Sequence, residues 1–432
     1  MKLRIEKAIY GGAGLARVEG KAVFVPFALP GELVEAAIAE ENKSYATAEL
    51  VEVLEPSADR HAAPCPYFGR CGGCHYQHAD YAAQVEMKRA ILRETLERAR
   101  VGGIPEIEAV TGEPFGYRNR VRLHVEKNPF HLCYKKRNSH VNLPVEVCPI
   151  AAPVLGGALG TLNREGEGLG LGAWVQEVEL FTDQEQAAML VALWTEKTKD
   201  EAAPLLGSCW GQLQKTLPRV VGAGVFSAER GAMTGKLLAQ AGEGALTYRA
   251  GARSYRVGLG SFFQVNRFLV DGLVDLVTSG EAGGLAWDLY AGAGLFSLAL
   301  TETFHEVVAV ETGGAAVRDL RENLRGTHAR EARHRVVSAE TAGFLRQAIA
   351  QKRPAPELVV VDPPRAGLGR EVTALLGKVR ARNVTYVSCD PATLSRDVVA
   401  LLESGYRLAK MHLVDLFPQT FHLESVAHLT LD

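Results

Sequence analysis

At 432 residues the chain exceeds what one hydrophobic core organises, and a hydrophobic content of 47% supplies apolar surface for two or three domains. A formal net charge of -2 and a pI near 6.7 exclude a globally basic nucleic-acid coat, so any RNA or DNA contact has to come from a local basic patch. The opening MKLRIEKAIYGG has no apolar stretch of signal-peptide length, and no apolar run of about eighteen residues occurs, so a cytoplasmic protein without a membrane span is expected.

Residues 1–57 alternate short β-rich runs with glycine turns, the pattern of a small OB-like barrel that either binds RNA or caps a neighbour. The run GGAGLARVEGKAVFVPFALPGE, from Gly11 to Glu32, resembles the TRAM domain, an RNA-binding barrel carried by RNA-modifying enzymes. A second segment, 58–253, opens with CPYFGRCGGCHYQH, where Cys65, Cys71 and Cys74 stand as C-x5-C-x2-C. Three thiols this close are too tightly spaced for a disulfide scaffold in a long chain, and Gly69, Gly72 and Gly73 let the backbone wrap closely, so a metal-binding loop is expected. Spacing leaves two completions open: zinc with His75 or His78, or an iron-sulfur cluster with the distant Cys148. Cys133 and Cys209 lie outside the pattern.

Apolar residues at helical spacing predict an amphipathic helix over about 79–100, packing near the catalytic part of the chain. Beyond it, Arg118, Arg120 and Arg122 at i, i+2 and i+4 share one face of a strand, and Gly116 to His140 holds seven Lys or Arg against the single acid Glu126. Aromatic residues interleave, so this strand face is expected to contact RNA phosphates and bases. Residues 151–250 read as a β-rich insert with turns.

From residue 254 to 432 strands and helices alternate, as in a doubly wound α/β domain. A strand ending near Asp288 and Tyr290, a loop with Gly292 and Gly294, and a second strand ending in Glu311 form a nucleoside-binding edge. A third glycine is missing and Ser297 stands in its place, so S-adenosylmethionine fits better than a dinucleotide. Later strands end at Asp362 and at Cys389, so the sheet's carboxyl edge gathers these groups where open α/β sheets bind ligands. Cys389 is followed by Asp390, a helix cap, and Pro391, suited to a first helical turn. A thiol so placed is either a small buried hydrophobe or a nucleophile, and a facing helix dipole is expected to favour its thiolate.

Taken together, the TRAM-like start, the cysteine loop, FFQVN (262–266), WDLYAGAGLFSL, VAVE (308–311), VDPPRAG, YVSCDPATLSRD and FHLES (421–425) resemble the RNA uracil-C5 methyltransferases over the whole length, of the TRAM and iron-sulfur type and nearest the bacterial 23S rRNA enzymes. The resemblance implies an S-adenosylmethionine-dependent (Rossmann-like) catalytic domain and formation of 5-methyluridine, with Cys389 as nucleophile and Glu424 as base. It implies donor contacts from Gln264, Asp288, Tyr290, Gly292, Gly294, Glu311, Glu340 and Asp362. It also implies a four-iron four-sulfur (4Fe-4S) cluster on Cys65, Cys71, Cys74 and Cys148. The implied partner is RNA, 23S rRNA ahead of tRNA, and the implied state is a monomer. Two positions depart from the pattern: Asp390 replaces the usual Asn, and Glu340 a shorter Asp that meets the adenine.

Two other classes fit worse. An amine methyltransferase also carries Asp-Pro-Pro but follows it with an aromatic, where this chain has Arg365. A noncatalytic RNA-binding protein needs neither Cys389 nor Glu424.

Overall fold

A computed structural model describes residues 1–228, 235–325 and 332–431. The first six strands, β1 (Lys2–Arg4), β2 (Lys7–Ala8), β3 (Ala13–Val18), β4 (Lys21–Pro26), β5 (Leu33–Glu41) and β6 (Tyr45–Glu55), form one curled sheet in the order β1-β5-β6-β4-β3-β2. Its alternating residues point inward, so Val23, Val25, Val34, Ala46 and Ala48 make a private core with Leu3 and Ile5.

Helix α1 (Tyr81–Arg98) follows, close to the span its periodicity predicts. Strand β7 (Ile107–Val110) then leaves the middle segment and pairs in parallel on the outer edge of the catalytic sheet. The central sheet comprises β8 (Arg120–Lys127), β9 (Phe130–Lys135), β10 (Asn142–Pro144), β11 (Glu177–Thr182), β12 (Met189–Thr195), β13 (Val220–Ser227) and β14 (Leu237–Gly242), in the order β10-β9-β8-β11-β12-β13-β14. Its region is not all β: α2 (Pro153–Glu165, 13 residues) and α3 (Lys199–Thr216, 18 residues) interrupt the strands of 151–250. A capping box of Thr198 and Glu201 starts α3, and Pro204 inside that helix masks it from a reading by pattern.

A hairpin of β15 (Ala245–Ala250) and β16 (Arg253–Gly258) leads into the catalytic sheet. That sheet contains β17 (Gly283–Leu289), β18 (Phe304–Glu311), β19 (Arg333–Ser338), β20 (Leu358–Val361), β21 (Asn383–Ser388), β22 (Tyr406–Val414) and β23 (Glu424–Leu431), ordered β19-β18-β17-β20-β21-β23-β22-β7. Helices α4 (Val270–Thr278), α5 (Leu295–Leu300), α6 (Gly314–Arg325), α7 (Thr341–Ala350), α8 (Gly369–Val379) and α9 (Pro391–Glu403) alternate with the strands. Leu358 to Val361 of β20 are wholly buried, as expected of a parallel strand covered on both faces. Each such side chain contributes about 1.5–3 kcal/mol by burial.

Strands β17 to β21 run parallel, whereas β23 is antiparallel to both of its neighbours, β21 and β22. The start of β23 therefore lies where the parallel strands end. Ser425 pairs with Ser388, so Glu424 arrives at the edge that carries Cys389.

Candidate active site and cysteine cavity

Strand β17 carries Asp288 into complete burial. Its Oδ2 accepts a 2.5 Å hydrogen bond from Ser297 Oγ, while Oδ1 is buried without a partner. Burial pushes the Asp288 carboxyl up to about 7, against the effect of the Ser297 hydrogen bond. The chain then turns through left-handed conformations at Tyr290, Gly292 and Gly294. Glycine suits the last of these, at φ +90°, where a Cβ would also stand 2.8 Å from Leu320 Cδ1 on α6. Glu311, at the end of β18, accepts from the Gly292 amide (2.9 Å) and from those of Thr312 and Gly313 (2.7 Å each). One carboxylate thus fixes both loops and keeps a free lone-pair site for a hydroxyl donor. Glu340 is exposed just beyond β19 at the start of α7 and makes no capping bond with its side chain. Gln264 is buried, its carbonyl held by Asn119 Nδ2 at 2.9 Å.

Cys389 follows β21, an interior strand, and is partly buried. Asp390 caps α9, its Oδ1 accepting from the Ala392 and Thr393 amides at 3.0 Å each, with Pro391 in the first turn. The helix start is where the sequence predicts it, but the thiolate is not favoured. Burial, then the charges of Glu424 and Asp362, push the Cys389 thiol up to about 11; Arg365 pulls the other way. Glu424 is buried, and burial together with Asp362 raises its carboxyl well above the usual range. Asp362, at the end of β20, is raised by burial and by Asp288. Arg365 Nη2 lies 3.3 Å from His422 Nδ1. Cys389, Asp362, Arg365 and Glu424 therefore form one electrostatic group at the sheet edge, continuous through Asp288 with the glycine loop.

The N-terminal sheet also reaches this edge, which no local sequence signal announces. Tyr10, from the turn between β2 and β3, sets its hydroxyl 3.4 Å from Asp390 Oδ2, and its ring meets Phe421 edge-on at 5.5 Å.

Cys65, Cys71, Cys74 and Cys148 all line one cavity of about 340 Å³, with Tyr134 and Arg118 also on its wall. The backbone of the loop is held by Cys71 N to Tyr67 O (2.8 Å), Gly72 N to Lys135 O (3.1 Å) and Cys65 N to Gln77 Oε1 (3.2 Å). Neither His75 nor His78 lines the cavity; His75 packs on Phe421 and His78 on Phe68. Burial pushes the thiols of Cys65, Cys71 and Cys74 up, that of Cys74 to about 12. Among the described residues, no group of three or more His, Cys, Asp or Glu side chains is placed to hold a metal ion.

Two arginines of the basic strand face are engaged within the protein. Arg120 lies over Phe181 at 4.3 Å and pairs with Glu179 at 3.2 Å; Arg122 lies over Trp194 at 3.8 Å and pairs with Glu177. Arg118 turns toward Phe417 and the cysteine cavity. The missed signal was the alternate pair Glu177 and Glu179 on β11, which the antiparallel register sets against β8. Lys127 and Lys136 remain exposed.

Comparison with known proteins agrees with this geometry. A family model described as tRNA (Uracil-5-)-methyltransferase matches residues 241–431, and a TRAM domain model matches residues 1–51. The chain is 35% identical to the 23S rRNA (uracil(1939)-C(5))-methyltransferase RlmD of Chromohalobacter salexigens, across 100% of this chain and 89% of that protein. The chain belongs to the RNA uracil-C5 methyltransferases. This methyltransferase is also 34% identical to an uncharacterized RNA methyltransferase of Aquifex aeolicus, across 99% of this chain and 98% of the other. The fold of the methyltransferase matches that of Pyrococcus abyssi tRNA (uracil-54, C5)-methyltransferase, solved with S-adenosyl-L-homocysteine, with a TM-score of 0.76, 22% identity and 100% of both chains covered. As members of this family do, the enzyme transfers a methyl group from S-adenosylmethionine to a uracil of RNA.

Proposed function

We propose that the enzyme makes 5-methyluridine in 23S rRNA by covalent catalysis from Cys389. The observation that carries the mechanism is the meeting of a half-buried thiol, two carboxyls of raised pKa and one guanidinium at the carboxyl edge of the sheet. Uracil C5 is a poor nucleophile. Addition of sulfur at C6, with the thiol proton passing to the Asp362 carboxylate, converts it to an enolate whose C5 attacks the methyl group. Arg365 and Asp362 face the developing enolate edge, where a cation and a proton donor stabilise negative oxygen. Glu424, as the carboxylate, then takes the C5 proton and the C6–S bond breaks, releasing Cys389 as the thiolate, which regains the proton it gave up on addition. The raised pKa of Glu424 makes it a stronger proton acceptor than an exposed carboxylate.

Gln264, Tyr290, Gly292, Gly294, Glu311, Glu340 and Asp288 are the donor-binding set. The loop amides and Glu311 suit the nucleoside, and the carboxyls suit the cationic methionine part. Reading Cys65, Cys71, Cys74 and Cys148 as ligands of a four-iron four-sulfur cluster is supported by four thiols on one cavity wall and no histidine among them. Bound there, the cluster would supply bonds tying the Cys65–Cys74 loop to the Cys148 segment. The enzyme is read as a cytoplasmic monomer.

The 23S substrate rests on the rRNA activity named for relatives that match end to end. A tRNA uridine is the second reading, favoured by the description of the matching family model. Mapping 5-methyluridine in rRNA and tRNA from cells lacking the protein decides between them: loss from 23S rRNA is expected, and loss from tRNA alone would reverse the assignment. For the mechanism, Cys389→Ala should abolish methylation and the covalent complex with 5-fluorouridine RNA while S-adenosylmethionine still binds.

A further inference from the structure

Between β22 and β23 lies a segment, residues 415–423, that delivers Glu424 to the sheet edge without belonging to any strand. Its central residues are fixed from outside the catalytic sheet. Gln419 is buried in a left-handed conformation at its centre. The Gln419 carbonyl accepts two amides of the cysteine loop, His75 N at 2.8 Å and Tyr76 N at 3.0 Å, directly after Cys74. On its other side, Gln84 of α1 makes a reciprocal amide pair: Gln84 Nε2 donates to Gln419 Oε1 and Gln419 N donates to Gln84 Oε1, both at 3.0 Å. Tyr117 Oη donates to the next carbonyl back, that of Pro418, at 3.0 Å.

We propose that Gln419 is a positioning residue for proton abstraction, the joint through which the cysteine loop and α1 set where Glu424 stands. The inference rests on the reading of Glu424 as the base. Cys389 is held by different means, namely an interior strand and the capped start of α9. A loosened Gln419 joint therefore slows loss of the C5 proton and spares sulfur addition. The cysteine site acts on chemistry as a mechanical anchor through Gln419, five residues upstream of the base.

The test is single-turnover kinetics of the full-length holoenzyme on a uridine-containing RNA with S-adenosylmethionine, reading growth and decay of the covalent protein-RNA species on denaturing gels. Gln84→Ala removes the amide partner without touching the segment, and Gln419→Gly keeps its backbone conformation without its side chain. In both, adduct formation should stay within about twofold while adduct decay slows by about ten- to a hundredfold, the scale of a small misplacement of a catalytic group. A variant that lowers both steps alike, or neither, overturns the proposal. Glu424→Gln is run alongside. If it stalls decay and the two glutamine variants do not, Gln419 fails alone and Glu424 stands; if it does not stall decay, Glu424 is not the base and the proposal falls with it. Hydrogen exchange gives a readout apart from activity: Gln84→Ala and Cys74→Ser should speed exchange over 415–424 and leave Asn383–Ser388 unchanged. Unchanged exchange over 415–424 in both would sever the link to the cysteine loop.

Discussion

Lys88 of α1 places its ammonium 2.6 Å from Asp415 Oδ1, and neither side chain touches solvent. The same Nζ donates to the Phe417 carbonyl at 2.9 Å, so a buried ion pair locks α1 to the start of the segment that ends at Glu424. Removing one partner leaves the other as an uncompensated buried charge. Lys88→Met should therefore destabilise the protein by about 3–5 kcal/mol, visible as a lowered denaturant midpoint at unchanged slope. Lys88→Met with Asp415→Leu should recover much of that loss; a double variant no better than the single would show that packing, not charge, is what Lys88 supplies.

The arginines of β8 give a second contrast. Arg120 is covered by Phe181 and paired with Glu179. Arg120→Ala should cost about 1–3 kcal/mol of stability by leaving the partly buried Glu179 without its donor, and leave the salt dependence of RNA binding unchanged. Lys136 is exposed. Lys136→Ala should keep stability and reduce the log-log salt slope by about one, the expected loss for one phosphate contact. Filter binding across salt concentrations reads both, and a reduced slope for Arg120→Ala would return that side chain to the RNA surface.

The local signals that were legible share one property: their meaning is set within a few residues. Asp390 caps α9 because the cap and the two amides it serves are adjacent in sequence. The β20 run was readable as a strand, and it is apolar throughout because it is buried on both faces. The sheet-edge gathering of Asp288, Glu311, Asp362 and Cys389 followed from strand ends alone. What local pattern hid depends on partners distant in the chain. Arg120 needs Glu179, Gln84 needs Gln419, and Tyr10 needs Asp390, separated by 59, 335 and 380 positions. The thiol's protonation was hidden for the same reason, since a helix start is local but the carboxyls of Glu424 and Asp362 arrive from other strands.

That electrostatic setting predicts a pH dependence for Cys389. Its thiol is pushed up to about 11 by burial first, then by Glu424 and Asp362, so alkylation of the free enzyme should stay slow at neutral pH and rise through that value. Glu424→Gln removes a neighbouring negative charge, which had penalised the thiolate, so the alkylation limb should move to lower pH. Iodoacetamide labelling followed by mass spectrometry measures it. A limb that stays in place would mean the two groups do not face each other.

Asp288 makes a prediction about the donor. Its carboxyl is raised to about 7, chiefly by burial, from an unfolded value of about 3.9. A folded pKa above the unfolded one means that the stability this group contributes is fully present below pH about 4 and is lost as pH rises through 7. The unliganded enzyme should therefore lose stability over that window, and Asp288→Asn should lose less. A cationic donor reverses the preference by favouring the carboxylate, so S-adenosylmethionine affinity should rise as pH increases through about 7, with proton release on binding. Calorimetry in buffers of different ionisation enthalpy reads the released proton. S-adenosylhomocysteine, without the sulfonium charge, should show a weaker pH dependence, and equal dependence for both would assign the effect to another group.

The cysteine cavity yields the last prediction. Burial raises the thiols of Cys65, Cys71 and Cys74, which are poor ligands until a metal replaces their protons, so occupancy and deprotonation go together. Protein prepared without oxygen should be brown and contain iron and acid-labile sulfide. Any one of Cys65→Ser, Cys71→Ser, Cys74→Ser and Cys148→Ser should lower both together. Cys133→Ser and Cys209→Ser should leave the cluster intact, since Cys133 contacts Glu126 and Cys209 is buried in α3 away from the cavity. Cys148→Ser is the most informative of these, because it lies 74 positions beyond Cys74 and no spacing rule ties it to the loop. Loss of iron in that variant, with the fold retained by circular dichroism, would establish it as the fourth ligand. Stoichiometric zinc without iron in the anaerobic wild-type protein would instead exclude the cluster.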